Sequence, residues 1–500
     1  MTLSLREWMA LSGVKFGTSG ARGRVTDMTD RVCEAYTSGF LGYLRRIGDW
    51  PDAGGFVAVA GDLRPSTGRI MAAVRRAIRA AGGRPIACGR VPSPAVALLG
   101  LERRIPAIMV TGSHIPDDRN GIKFNKSSGE ILKDDEAGMM EQAVAWEETA
   151  YDGEGAWRGG AEPEPELDEA AGEGYVRRYL EGFPGRPLRG LRLGIYQHSA
   201  VGRDLLMRIL SGLGAETVPL GRSDRFLPVD TEAIREEDVA LARDWAEKER
   251  FDAIVSTDGD SDRPLVSDES GRWLRGDVAG ILCARFLGAE AVVTPVSSNT
   301  AVERTGWFAE VRRTRIGSPY VVAAMNALRA EGRNRVVGYE ANGGFLVGAD
   351  FELPEGRLGA LPTRDAVIVM LGVLMQARRE GRSVSEAVAA LPGRWTASDR
   401  LTEFPVERSR AIMERLGGSD AEGRTAAVER VLGGVVGDRV ADVDLTDGVR
   451  ATFRRGEVVH LRPSGNAPEF RCYTEADTEA RAVSLCAAVL GQLRDAEEGG

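Results

Sequence analysis

Thr111-Gly112-Ser113-His114, continuing through Asp118-Arg119-Asn120-Gly121-Ile122-Lys123-Phe124, follows directly on the apolar run Ile105 to Val110. That run has the length and composition of a buried strand. A buried strand that breaks into Thr-Gly-Ser delivers a serine hydroxyl to the carboxyl end of a sheet, where open α/β sheets bind ligands. His114 stands beside the serine, and Asn120-Gly121 is expected to form a tight turn that brings Lys123 back towards it. A serine able to carry a covalent group, with His and Lys as proton and charge partners, makes a candidate active-site loop. Taken alone, the same residues also suit an ordinary polar loop.

The neighbouring sequence repeats the order strand, polar turn, helix. Phe56 to Ala60 reads as a strand running into Gly61-Asp62-Leu63-Arg64-Pro65-Ser66, with Ser66 as the expected N-cap of a helix that continues to Ala81. A short strand from Pro85 to Cys88 and a helix after Pro92-Ser93-Pro94 lead to the Ser113 loop. The order recurs from Leu191 to Tyr196, through His198-Ser199, into a helix from Gly202 to Leu213, with a later strand at Phe251 to Ser256. It recurs again from Glu290 to Thr294, through Ser297-Ser298-Asn299-Thr300, into another helix, with a later strand at Arg335 to Gly338. Each later strand runs into a Gly-containing loop: Thr111-Gly112-Ser113, Thr257-Asp258-Gly259-Asp260 and Glu340-Ala341-Asn342-Gly343-Gly344. Three similar α/β domains, each presenting one loop at the equivalent place, account for the pattern.

Tyr151 to Glu173, rich in Gly, Pro and Glu, reads as a solvated linker or exposed excursion between the first two modules. Past Leu391-Pro392-Gly393 the alternation stops. Helices from Val406 to Leu416 and Gly423 to Val431 precede short strands near Ala441 to Leu445, Val449 to Arg454, Glu457 to Leu461 and Phe470 to Glu475. A last amphipathic helix spans Thr478 to Arg494, which gives an α+β domain with an antiparallel sheet. The expected boundaries are 1–160, 161–286, 287–393 and 394–500.

A chain of 500 residues with 43% hydrophobic content has room for several domains. A net charge of −9 and a pI near 5.3 argue against a nucleic-acid or membrane-surface partner but leave room for an anionic small substrate, which local basic residues would bind. Five scattered cysteines without metal spacing suit a reduced, cytoplasmic protein. Met1 to Val14 lacks a signal-peptide core, and no apolar run reaches membrane-spanning length.

Four further stretches carry chemistry. Phe16-Gly17-Thr18-Ser19-Gly20-Ala21-Arg22-Gly23 lets backbone approach a ligand and offers Arg22 as a cation for phosphate or carboxylate. Asp258-Gly259-Asp260-Ser261-Asp262-Arg263 places three carboxylates on alternate residues, a donor set for a hard divalent cation such as Mg²⁺. An EF-hand shares that spacing, but Arg263 stands where its invariant Gly belongs, and a strand on one side and an expected hairpin, Leu265 to Leu274, on the other replace its flanking helices. Glu340 and Asn342 suit sugar hydroxyls. Arg462-Pro463-Ser464-Gly465-Asn466-Ala467-Pro468, with Arg471 following, can form an anion pocket.

Taken together and in this order, FGTSGARG at Phe16, TGSHIPDDRNGIKF at Thr111, DGDSDR at Asp258, YEANGG at Tyr339 and RPSGNAPEF at Arg462 resemble the α-D-phosphohexomutase family, most closely its bacterial phosphomannomutase type. The resemblance implies three mixed α/β domains and a C-terminal domain like the TATA-box-binding protein, set around a central cleft. It implies that Ser113 is the phosphorylated serine and that Asp258, Asp260 and Asp262 hold one Mg²⁺ together with a phosphoserine oxygen. Lys123, His114 and Arg22 would form the proton-handling and charge-stabilising set. Arg263, Glu340 and Asn342 would bind substrate, while Arg462, Ser464, Gly465, Asn466 and Arg471 would grip its non-reacting phosphate. The implied reaction interconverts mannose 6-phosphate and mannose 1-phosphate, with the glucose phosphates as further substrates, through a hexose 1,6-bisphosphate that also serves as activator.

The sequence departs from the family at the sugar loop, which in many relatives reads Gly-Glu-x-Ser-Gly-His and here has no histidine. It departs again at Ser318, where some relatives carry histidine after the preceding Val-Gly pair, and at Asn466-Ala467, where Thr-Glu or Thr-Gln-Pro-like sequences are frequent. Phosphoglucosamine mutase and phosphoglucomutase therefore stay open as alternatives. So do a phosphatase using an Asp nucleophile and a silent sugar-phosphate-binding protein, although neither needs both the serine loop and the aspartate triad. Either a monomer or a homodimer is compatible with the chain.

Overall fold

Phe56–Gly61 lies between two parallel partners, Arg84–Gly89 and Ala107–Val110, and Ala107–Val110 then pairs antiparallel with Arg119–Lys126. This arrangement belongs to a computed structural model that describes residues 2–17, 20–51, 54–160, 165–418, 420–464 and 469–495. The strands are apolar on both faces because helices cover both faces. Successive side chains of a strand alternate. Val57 and Val59, with Ile108 and Val110, therefore enter one core, packed with Ile70, Val74 and Ile78 of the helix Thr67–Ala80. Ala58 and Ala60, with Ala107 and Met109, face the other way, onto Val96 and Leu99 of the helix Ser93–Arg103.

The second module repeats the plan. Arg192–His198 pairs in parallel with Glu216–Arg222 and with Ala253–Thr257, and the latter turns back antiparallel as Pro264–Val266. In the third, Val336–Tyr339 turns back antiparallel as Phe345–Val347. Each return follows one of the sequence's chemistry-bearing loops: residues 111–118, 258–263 and 340–344. The repeat is thus one of topology, with a strand ending in the loop and an antiparallel strand leaving it.

The chain divides into two compact units, Met1–Val292 with Gly317–Val388, and Val293–Ile316 with Ala389–Gly500. The first contains the serine, aspartate and Glu-Ala-Asn loops. The second contains a five-stranded sheet in the order Trp395–Leu401, Phe470–Ala476, Val458–Pro463, Val449–Phe453, Val440–Asp444, with every pairing antiparallel. Helices Val406–Gly417, Ala421–Val436 and Glu479–Asp495 belong to the same unit, and Leu416, Leu432, Val436, Leu485 and Val489 share its core with the sheet. Among the described residues no helix is long and apolar enough to cross a membrane.

Four expectations need correction. Asn120 and Gly121 form no turn; they lie inside the strand Arg119–Lys126, opposite Gly23 and Arg22, and the chain reverses earlier. Residues 151–160 are not a free linker: Tyr151 bridges Trp157, its hydroxyl donates to Glu34, and Arg76 stacks on Trp157, while the helix Ala170–Gly182 starts inside the stretch read as solvated. Ser66 precedes the helix but caps nothing; its hydroxyl accepts from Asn120 Nδ2 at 2.9 Å. The helix after Thr300 is only Ala301–Arg304, and the strand Trp395–Leu401 was not expected.

Candidate active site

Lys123 approaches the aspartates through strand register. Met109 faces Lys123 across the antiparallel pair, and Val110 faces Ile122, so Lys123 stands level with the end of the strand that delivers the serine. Ser113 itself is fully buried and adopts φ 59°, the left-handed region that a residue with a Cβ enters at a cost of roughly 1–3 kcal/mol. The conformation is held from beneath. Thr111 Oγ1 accepts from Ser113 N at 2.8 Å and donates to Asp62 Oδ2 at 2.7 Å. Arg64, paired with Asp62 at 3.0 Å, donates to the carbonyls of Ser113 and Pro116 at 2.7 and 3.0 Å. Gly112 is required by this support, since a Cβ there would lie 2.7 Å from the Arg64 guanidinium carbon. Asp62 and Arg64 carry no reacting atom, and sequence reading gave them no role; Gly61-Asp62-Leu63-Arg64 ends the adjacent strand, and only the fold brings it under the serine.

The three aspartates gather at the end of Ala253–Thr257, all buried, with ligand atoms within 4.8 Å of one another. Their oxygens divide into two sets. Ser113 Oγ donates to Asp258 Oδ2 at 2.6 Å, while Asp258 Oδ1 accepts the N–H groups of Asp262 and Arg263, each at 3.2 Å. Lys123 Nζ donates to Oδ2 of Asp260 and of Asp262 at 2.6 and 2.5 Å. Ser93 shares the first of these oxygens and Arg364 Nε, at 3.1 Å, the second. Oδ1 of Asp260 and Oδ1 of Asp262 are buried with no hydrogen-bond partner. Burial, with Asp260 and Asp262 beside it, pushes the Asp258 carboxyl far above the usual range. Burial also opposes the charge on Asp260, but Lys123, then Ser93 and Arg364, outweigh it and hold that carboxyl down. Two orphaned carboxylate oxygens beside a third carboxylate fit a hard divalent cation such as Mg²⁺, which takes oxygen ligands.

Cationic groups surround this cluster. Arg22 sits on the strand Ala21–Arg24, opposite Gly121, and burial among Arg263 and Arg364 lowers its pKa to about 10. Arg263 Nε lies 3.8 Å from Asp262 Oδ1 and 4.0 Å from Asp258 Oδ2 without a hydrogen bond. Crowded guanidinium groups suit an anion such as a phosphoryl group. His114 Nδ1 is 3.4 Å from Ser113 Oγ and its Nε2 3.8 Å from Asp230. Burial, with Arg263 and Arg22 nearby, pushes the imidazole far below its usual range, so the ring is neutral.

Glu340 and Asn342 are also buried in the first unit. Asn342 Oδ1 accepts from Gly344 N at 2.9 Å, which leaves its amide N–H₂ as the remaining donor. Arg364, which sequence reading missed, joins Glu340 Oε2 at 3.3 Å to Asp262. It lies in a loop, behind Pro362, with no motif around it. Ser318 donates to Glu130 Oε2 at 2.9 Å and is wholly buried. Its hydroxyl is therefore committed to Glu130.

In the second unit, Arg462 and Arg471 are direct cross-strand partners. Like charges directly opposite destabilise a sheet unless neighbouring groups offset them, and Arg471 Nη2 donates to Glu469 Oε2 at 3.2 Å. The Nε atoms of both are buried without a hydrogen bond, and Asp447 Oδ1 lies 3.7 Å from that of Arg462. Ser464 N donates to Glu469 O at 2.8 Å, closing the loop at its base. Gly465 and Asn466, together with Thr18 and Ser19 of the N-terminal loop, lie outside the described residues.

Comparison with known proteins finds similar chains over nearly the whole length. Family models for phosphoglucomutase/phosphomannomutase match along the chain: α/β/α domain I at residues 13–150, domain II at 173–271, domain III at 275–395 and the C-terminal domain at 402–492. The chain is 42% identical to a phosphomannomutase of Salmonella muenchen, over 97% of this chain and 96% of that protein. It is 43% identical to one of Sinorhizobium fredii, over 96% of this chain and 99% of that protein. A phosphoglucosamine mutase of Burkholderia vietnamiensis is 27% identical over 96% of this chain and 98% of its own length. The fold matches the crystal structure of a phosphoglucomutase/phosphomannomutase family protein from Burkholderia thailandensis with a TM-score of 0.71 at 21% identity, covering 100% of this chain and 99% of that one.

Proposed function

We infer the activity from membership: this chain belongs to the phosphoglucomutase/phosphomannomutase family. It is a phosphomannomutase, an isomerase that interconverts mannose 6-phosphate and mannose 1-phosphate through a phosphoserine and a hexose 1,6-bisphosphate. The observation that carries the reading is the buried Ser113 hydroxyl, 2.6 Å from one of three clustered carboxylates that also receive Lys123. Identity of 42% and 43% to phosphomannomutases, against 27% to a phosphoglucosamine mutase, supports mannose as the sugar.

In the resting form Ser113 Oγ carries the phosphoryl group. Mg²⁺ would be held by Asp258, Asp260 and Asp262, with the phosphoserine as a further ligand. When bound, the ion neutralises charge on the transferred oxygens, the principal requirement of phosphoryl transfer. Arg22 and Arg263 add donors to the same oxygens. The free hydroxyl of the bound hexose phosphate attacks phosphorus, and the new P–O bond forms as the bond to Ser113 Oγ breaks. The proton count closes through Lys123: its ammonium, held by Asp260 and Asp262, gives a proton to the departing Ser113 Oγ and is reprotonated by the attacking hexose hydroxyl. The bisphosphate then turns end for end and returns its other phosphoryl group to Ser113. His114, with Nδ1 3.4 Å from Ser113 Oγ, belongs to the same proton-handling and charge-stabilising set. Glu340 and the Asn342 amide bind sugar hydroxyls, while Arg462, Ser464, Gly465, Asn466 and Arg471 hold the phosphate that is not reacting.

The division into domains 1–160, 161–286, 287–393 and 394–500 follows from the same reading, with the four family matches falling largely within them. The cytoplasm, where the five buried cysteines remain free, is the proposed compartment. Following ³¹P resonances of mannose 1-phosphate with Mg²⁺ and a trace of hexose 1,6-bisphosphate tests the reaction. Appearance of mannose 6-phosphate supports it. Conversion of glucosamine phosphate but not mannose phosphate would reassign the sugar.

A further inference from the structure

We propose that Arg364 is a positioning residue that couples the metal loop to the sugar loop, so that divalent-cation binding and sugar binding are linked through one guanidinium. The proposal rests on the roles assigned above to Asp262 and Glu340.

Arg364 is 2% exposed and reaches both loops at once, with Nε donating to Asp262 Oδ2 at 3.1 Å and Nη1 to Glu340 Oε2 at 3.3 Å. Its backbone is pinned on either side. Thr363 Oγ1 donates to Glu130 at 2.5 Å. Asp365 caps the helix Ala366–Arg379 through Val367 N and accepts from the buried Tyr175 hydroxyl at 2.6 Å and from that of Tyr179. The side chain is pinned as well. A Cβ on Gly344, in the sugar loop, would stand 2.4 Å from Arg364 Cδ, so loop and side chain lie in direct contact.

The planar fork of a guanidinium fixes the angle between its donors, unlike the point charge of an ammonium. Asp262 and Glu340 are therefore held in one relative orientation. On the metal side the consequence is specific: Arg364 and Lys123 both occupy Oδ2 of Asp262, which leaves its buried Oδ1 without a hydrogen-bond partner. On the sugar side one oxygen of Glu340 is engaged and the other left to accept a hydroxyl. A ligand that reorients either carboxylate moves the guanidinium, and binding linkage is reciprocal.

The test is a thermodynamic cycle on the full-length protein. Mannose 1-phosphate binding is measured by calorimetry with and without Mg²⁺, and steady-state KM and kcat are measured alongside, in wild type, Arg364→Lys, Glu340→Gln, their double variant and Gly344→Ala. Gly344→Ala keeps the cation and displaces it, so it serves if Arg364→Lys folds poorly by thermal melting. In wild type, Mg²⁺ is expected to tighten mannose 1-phosphate binding. In Arg364→Lys and Gly344→Ala that factor falls towards one, and KM rises about tenfold while kcat changes much less. The double variant should raise KM no further than Glu340→Gln alone. Additive effects in the double variant, or an unchanged Mg²⁺ factor in both Arg364→Lys and Gly344→Ala, overturn the coupling and leave the mutase reading standing. A wild-type KM in Glu340→Gln would instead remove the sugar-loop assignment, and the coupling with it.

Discussion

Replacing Asp62 by Asn tests whether the serine loop is held from beneath. Asp62 is wholly buried and accepts four hydrogen bonds: from Arg64 N and Nε, each at 3.0 Å, and from Thr67 Oγ1 and Thr111 Oγ1, each at 2.7 Å. Asn has the same shape but no charge, so the Arg64 guanidinium, itself 1% exposed and 4.0 Å from the Phe226 ring centre, is left buried without its counter-ion. Removing one partner of a buried pair costs roughly 3–5 kcal/mol. The first unit spans about 360 residues, and at about 2.1 cal/mol/K of unfolding entropy per residue that penalty lowers Tm by about 4–7 °C. Turnover should fall more than tenfold, because Arg64 also holds the Ser113 carbonyl in its left-handed conformation. Differential scanning calorimetry and the mutase assay read the two effects separately. A double variant, Asp62→Leu with Arg64→Met, should recover much of the stability, as apolar replacement of a buried pair often does, without recovering turnover. An Asp62→Asn protein melting within about 1 °C of wild type, or a double variant with full turnover, would refute the reasoning.

Three further outcomes are expected. Burial pushes His198 in the first unit and His460 in the second down to about 4. Their unfolded forms bind a proton near pH 6.5 and the folded forms do not, so stability is lost as pH falls from about 6.5 towards 4; at pH 5 each histidine costs about 2 kcal/mol. His460→Gln should remove that share of the acid sensitivity, and equal pH dependence in mutant and wild type would contradict it. Chelation with EDTA should abolish turnover and lower Tm by about 3–4 °C, the equivalent of about 2.7 kcal/mol for an ion at a hundred times its Kd, with Mg²⁺ restoring both; a Tm indifferent to Mg²⁺ argues against the aspartate site. Arg462→Gln should raise KM about ten- to a hundredfold, yet leave Tm about equal or higher, since it relieves the like-charge cross-strand contact with Arg471; a clear loss of stability would show Arg462 to be structural.

Local chemistry explains what the sequence disclosed. Asp258, Asp260 and Asp262 are near neighbours in the chain, so their convergence needed only a short loop after a buried strand, and the structure places all three there. The three-fold recurrence of strand and loop was visible because strands covered on both faces are largely apolar, as in Ala107–Val110 and in Ala253 to Val255 of the strand Ala253–Thr257. Long-range pairing was not visible. Asn120-Gly121 has the composition of a turn, but the strand Ala21–Arg24 offers it partners and tertiary pairing overrides local preference. Trp395–Leu401 is an edge strand with an exposed centre, so it lacks the apolar alternation by which strands are recognised. Arg64 and Arg364 act across 49 and 102 residues of sequence, and nothing in their own neighbourhoods marks the groups they hold.

Passage of the phosphoryl group through Ser113 is the step on which every other role depends. The protein, incubated with Mg²⁺ and hexose 1,6-bisphosphate labelled with ³²P, should acquire label on the peptide containing Ser113 and release it to mannose 1-phosphate within one turnover. Ser113→Ala should take up no label and show no mutase turnover. Label on another residue, or a Ser113→Ala protein that still interconverts the mannose phosphates, would contradict the mechanism.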